Sequence, residues 1–133
     1  MIDPLLFEYG ISVYLIQEKV CSVMQVEREQ MTIPAYTPGI KKRELTIARQ
    51  ISMTLSKEYT RQSLAFIGNA HGGRDHATVL NACKIVNNML DTNDPLITIP
   101  YLRAKKSIDI FLEVQKELKD IRSQEKTIFN TEK

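Results

Sequence analysis

Glycine, proline and cysteine are all scarce in this chain: five, five and two among 133 residues. So few backbone breakers argue against a many-stranded β fold, which needs turn residues between short strands. Cys21 and Cys83 are far apart and show neither a disulfide framework nor a metal-type spacing, so buried thiols in a reducing compartment are expected. No apolar run approaches the roughly 20 residues of a membrane-spanning helix. The opening Met-Ile-Asp-Pro lacks the basic segment and sustained apolar stretch of a secretory leader. A large charge of one sign is also missing: the net charge is +2, too small by itself to imply a polyanionic partner. The expectation is one soluble cytoplasmic protein with no membrane association and no cofactor.

The residues that are present favour helices. Apolar residues make up 43% of the chain, enough for a core of ordinary size at this length. Leu5, Tyr9, Val13, Ile16, Val20 and Val26 recur near helical spacing, with Gly10 ending a first short helix and Ser12 capping the next. "TIPAYTPGIKK" (32–42) contains two prolines and a glycine and reads as a loop. Helix resumes over 44–58. Thr60 is expected to cap a short helix over 61–70, and Asp75 a longer one running to about Leu90. On that longer helix Val79, Cys83, Val86 and Leu90 form one apolar face, while Thr78, Asn81, Lys84 and Asn88 face elsewhere. A last helix is expected over about 102–123. Its Phe111, Val114, Leu118 and Ile121 form a near-heptad seam. That seam could pack on the first helix or join two copies as a homodimer; intramolecular packing is expected, because so few heptads make a weak coiled coil.

The chemistry is concentrated in "SLAFIGNAHGGRDHATVLNACKIVNNML" (63–90). Gly68 and Gly73 have the spacing of the two glycines in a nucleotide phosphate loop. Arg74 and Asp75, however, stand where that loop needs Lys and Ser or Thr, and a carboxylate there would repel phosphate. No nucleotide is expected. His71 and His76 straddle a di-glycine turn and match no metal-ligand spacing, so they read as a polar loop residue and a helix-start residue. No nucleophile has a base and oxyanion arrangement around it, and no catalysis is expected. A short helix, a glycine-bearing turn and a longer amphipathic helix are the parts of a helix-turn-helix, though a merely structural hairpin has the same pattern. In the DNA-reading case the first residues of the second helix meet base edges. Asp75 could accept from cytosine N4, Ala77 touch a thymine methyl, and Thr78 reach a phosphate. His76 could donate or accept, depending on tautomer.

The run "RQISMTLSKEYTRQSLAFIGNAHGGRDHATV", 49–79, resembles without a gap the signature of the C-terminal DNA-binding domain of the bacterial replication initiator DnaA. The likeness extends through "KKRELTIA" upstream and the "NACKI" helix downstream. It implies an all-α helix-turn-helix domain of the DnaA C-terminal type, with an extra C-terminal helix, that binds double-stranded DNA at DnaA-box-like sites. Matched positions place Asp75, His76 and Ala77 in the major groove, with Leu64 and Ala65 near thymine methyls. Arg49, Lys57, Ser63 and Thr78 would meet phosphates, and the basic loop Lys41, Lys42 and Arg43 the minor groove. The domain plan is an N-terminal helical segment (1–31), a loop with a basic end (32–43), the helix-turn-helix core (44–92), and a C-terminal helix and tail (93–133). Ala77, Ala65, His71 and Lys41 depart from the family's usual hydroxyl residue, proline, phenylalanine and arginine. Arg74 is expected to orient the turn by pairing with a carboxylate. No phosphate loop of the initiator's ATPase module is present, so the chain is expected to act without ATPase activity. The competing expectation is a protein-interaction module that keeps the fold and has lost DNA readout.

Overall fold

The computed structural model describes residues 10–32 and 42–131, with side chains up to Glu125. Six helices account for nearly all of it: α1 (Val13–Met24), α2 (Arg28–Met31), α3 (Lys42–Tyr59), α4 (Leu64–Ala70), α5 (His76–Asp91) and α6 (Pro95–Thr131). The expected helix before Gly10 and most of the expected 32–43 loop, including Lys41, lie outside the described residues.

Ser12 starts α1 as its sequence position suggests: the hydroxyl accepts from the Leu15 N–H at 3.1 Å, satisfying one of the donors a helix start leaves open. Gln25 ends α1 in the left-handed conformation, with its N–H bonded to the Cys21 carbonyl. The spine of the domain is α3, an 18-residue helix packed against every other helix. One of its stripes (Ala48, Ile51, Leu55) joins Ile16, Val20, Met31, Val86 and Ile108 in the larger core. Met53 faces a second core with Val13, Ile67, Val79 and Cys83, which seats α4 and α5. Fully burying such an aliphatic side chain contributes about 1.5–3 kcal/mol. Burial of these side chains holds α5 against α3 and α4.

Several boundaries differ from the sequence expectation. Lys42 and Arg43 belong to the first turn of α3, not to the loop. Helix α4 begins at Leu64, and its cap is Ser63, whose hydroxyl accepts from the Phe66 N–H at 3.0 Å. Thr60 instead belongs to the end of α3, donating to the Ser56 carbonyl at 2.6 Å. The last helix starts at Pro95, well before Leu102, and runs through Pro100. Pro95 sits at the first helical position, where a missing N–H does no harm. Asp94 accepts from the Leu96 N–H at 3.0 Å and so supplies the cap. Pro100 removes only the bond to the carbonyl of Leu96, a half-exposed residue near the helix start where water can replace it.

Helix α6 docks through Ile97, Tyr101, Ala104 and Ile108. Tyr101 donates to both oxygens of Glu58, at 2.8 and 2.9 Å, and Tyr59 donates to Asp109 at 2.6 Å. These bonds staple α6 to the end of α3. The first helix, the one before Gly10 on which the near-heptad seam is expected to pack, lies outside the described residues. Of the seam, only Phe111 reaches the core, while Val114, Leu118 and Ile121 remain 48%, 48% and 50% exposed.

Candidate nucleic-acid interface

The turn between α4 and α5 is a backbone-to-backbone contact. Gly68 sits in α4 where a Cβ would lie 2.1 Å from the Arg74 carbonyl oxygen, so only glycine allows the two segments to meet. The Arg74 N–H donates to the Gly68 carbonyl at 2.8 Å, locking them together. Gly72 has φ +91°, and a Cβ there would lie 2.7 Å from the Thr32 carbonyl oxygen. Both constraints place α5 at a fixed angle to α4, which is what a reading helix requires.

Three side chains hold this turn from beneath. Gln17 of α1 is fully buried; its Nε2 donates to the Ala70 carbonyl at 2.9 Å, and its Oε1 accepts from Arg28 Nε at 3.0 Å. Arg74 Nη1 donates to the His71 carbonyl. His71 itself is fully buried, which corrects its reading as a polar loop residue. Its Nδ1 lies 2.8 Å from the Ile67 carbonyl and its Nε2 2.7 Å from the Ser52 hydroxyl. A carbonyl can only accept, so Nδ1 carries the proton and Nε2 accepts from Ser52. Burial pushes this imidazole down to about 4, with the Arg74 and Arg49 charges adding to the effect, so it is neutral. Both nitrogens are thus committed inside the core.

Above the turn, α5 starts at an open surface. Asp75 is its N-cap, and a single oxygen, Oδ1, accepts from the Thr78 N–H at 2.9 Å and the Thr78 hydroxyl at 2.8 Å. Those two bonds hold the exposed carboxyl below the usual carboxylate range, leaving an ionised acceptor at the helix start. His76 and Ala77 follow, both exposed. Thr78 is exposed too, but its hydroxyl proton points at Asp75, so it supports the cap before it can meet a phosphate.

Arg49 and Thr78 come together with Arg74, Thr46 and Asn81 around a cleft of about 110 Å³ between α3 and α5. Arg49 is anchored by Nε, which donates to the Met31 carbonyl at 2.7 Å. Burial, and secondarily the facing Arg74 charge, push the Arg49 guanidinium below its ordinary value, and burial does the same for Arg74. Two like charges held in one partly buried cleft favour an anion between them, and guanidinium geometry suits phosphate oxygens. Thr46 and Gln50 also line a wider groove of about 450 Å³ that includes Lys42 and Arg43, so the basic first turn of α3 continues the same surface. Ser63, Leu64 and Ala65 open α4, with Ser63 and Ala65 exposed and Leu64 packed partly against the second core. Lys57 is exposed near the end of α3.

Arg74, Thr46 and Asn81 were not among the sequence-derived contact residues. Asn81 could have been found from the helical period, since it lies one turn after Thr78 on the exposed face of α5. The pairing of Arg49 with Arg74 depends on how α3 crosses α5 and has no local signal. Among the described residues, no three His, Cys, Asp or Glu side chains are arranged to hold a metal, and no helix is long and apolar enough to cross a membrane.

Comparison with known proteins agrees with this architecture. Residues 13–86 match the family model described as the bacterial dnaA protein helix-turn-helix. The chromosomal replication initiator protein DnaA of Porphyromonas gingivalis is 42% identical over 83 residues, covering 62% of this chain and 16% of that protein. The Flavobacterium psychrophilum protein of the same name is 41% identical over 83 residues, covering 62% and 16%. That of Psychromonas ingrahamii is 36% identical over 102 residues, covering 65% of this chain and 22% of the relative. The chain thus spans only about a fifth or less of these relatives' length. With α4, the glycine turn and α5 all inside the matched region, the chain belongs to the bacterial DnaA helix-turn-helix family.

Proposed function

We propose that this chain binds double-stranded DNA sequence-specifically, at DnaA-box-like sites in the cytoplasm, and serves replication-origin recognition or its regulation without catalysing a reaction itself. The observation that carries the reading is the Arg49–Arg74 cleft, placed directly beside the exposed Asp75-His76-Ala77 start of α5. An anion held by the two guanidiniums would fix the protein's register on a backbone, and the helix start would then meet base edges in the major groove. Lys57 and the Ser63 hydroxyl supply further phosphate contacts, with Leu64 and Ala65 beside thymine methyls. Lys42 and Arg43, together with Lys41, serve the adjacent minor groove. Asp75 accepts from a base amino group, and Ala77 presents its methyl to a thymine.

Fluorescence anisotropy with a DnaA-box duplex and a scrambled duplex, repeated across a salt series, tests this reading. The expected result is tighter box binding, with both affinities falling steeply as salt rises because phosphate contacts release counterions. Absence of binding at low salt would favour a protein-interaction module instead. Within the same assay, His76→Ala should erode discrimination between the duplexes by about 1–3 kcal/mol. Lys57→Ala should weaken both duplexes alike and reduce the log–log salt slope by about one. Identical behaviour of the two variants would refute the proposed division between base and phosphate contacts.

A further inference from the structure

Beyond Leu112, α6 leaves the body of the domain, and every side chain from Lys116 to Glu125 is exposed. A lone helix of this kind is marginal in water unless its apolar face is covered. The face is well defined: Val114, Leu118 and Ile121 repeat at four and three residues and continue the spacing from Phe111. With Phe111 and Leu118 at heptad positions a, Val114 and Ile121 occupy d. The positions flanking the seam from 115 to 124 are all polar: Gln115 and Arg122 at e, Glu117 and Gln124 at g. Lys116, Lys119, Asp120 and Ser123 fall on the outer face. At about 100° per residue, the seam is centred roughly a quarter of a turn from Ala104 and Ile108, the face docked on the domain. A second helix can therefore approach without displacing the first contact.

We propose that the occupant of this seam is the same helix of a second copy, in a parallel, in-register, two-stranded pair. Charge decides the partner and its direction. In a parallel pair each g residue faces the next e residue of the other strand, so Glu117 meets Arg122 of the other copy, and twofold symmetry repeats the contact. An antiparallel pair sets g beside g and e beside e, which gives neither side chain an opposite charge. Leu at a with β-branched residues at d can favour larger bundles, but those need a wider apolar face than a strip bordered by Gln, Glu and Arg. The pairing is independent of any DNA contact.

Sedimentation of the full chain without DNA, from about 5 µM to several hundred µM, tests the proposal across the affinity range expected of a short seam. The expected result is a reversible rise from 15.3 kDa toward twice that mass. Leu118→Glu should leave a folded monomer at all concentrations, since Leu118 is half-exposed and contributes nothing to the core. Glu117→Lys and Arg122→Glu should each weaken pairing several-fold, and the double exchange should restore it. A monomer throughout, an assembly larger than two chains, or a double exchange that fails to restore pairing would each overturn the proposal. Because DNA is absent, none of these results bears on the DNA-binding reading.

Discussion

Gly68→Ala should destabilise the domain by roughly 3 kcal/mol or more, at or beyond the upper end of the usual cost of overpacking. The added methyl would lie 2.1 Å from the Arg74 carbonyl oxygen, 2.9 Å from its carbonyl carbon and 3.1 Å from the Asp75 carbonyl oxygen. All three are backbone atoms, so no rotamer change can make room. The segment also cannot retreat freely, because the Arg74 N–H is bonded to Gly68 itself and the Arg74 side chain to the His71 carbonyl. Relief would require α5 to swing away from α4 and open the core around Ile67 and Val79. Gly73→Ala is the matched control. Gly73 has φ +74° but no atom near its would-be Cβ, so only the conformational penalty of about 1 kcal/mol applies. Urea denaturation of the two variants against the parent chain measures the difference. If the two cost the same, the close approach of α4 to the turn is not what holds the reading helix in place.

The parts of this fold that were legible in the sequence are those whose cause is local. Asp75 as a cap and Val79, Cys83 and Val86 as a buried face follow from side-chain chemistry and a 3.6-residue period, and the structure has both. Ser12 is a similar case. Thr60 and Ser63 show the limit of such reasoning. Each can cap a helix, and which one does so depends on where α3 stops, a choice made by the packing of Tyr59 and Glu58 against α6. Pro100 misplaced the start of α6, because a proline reads as a breaker unless Pro95 and Asp94 are recognised as a helix start. The seam after Phe111 was visible as a pattern, but a pattern does not say which surface lies opposite. The Arg49–Arg74 cleft and the Gln17 clamp lie further out of reach. Their partners are distant in sequence, and only the crossing of α1 and α3 with the turn brings them together.

His71 is the other residue whose role is set entirely by tertiary structure, and it predicts a dependence of stability on acid. The folded imidazole is held at about 4, against an ordinary value of 6.5. Burial is the main cause, and the Arg74 and Arg49 charges work in the same direction, while the Ile67 carbonyl opposes them in part. The unfolded chain therefore takes up a proton near 6.5 that the folded chain refuses until about 4. Stability from this group is complete above 6.5, falls as pH drops through that window, and levels off below the folded value. The depression amounts to about 3 kcal/mol across the window, at 1.36 kcal/mol per unit. Carboxylates also titrate at its lower end, so the parent chain alone cannot isolate the effect. His71→Phe can, since it places the family's usual aromatic in the same pocket with nothing to protonate. Urea denaturation at steps between pH 7.5 and 4.5 should show a steeper loss for the parent chain than for His71→Phe, with the difference growing below 6.5. Parallel profiles would mean that His71 titrates alike folded and unfolded, which its burial between Ser52 and the Ile67 carbonyl does not allow.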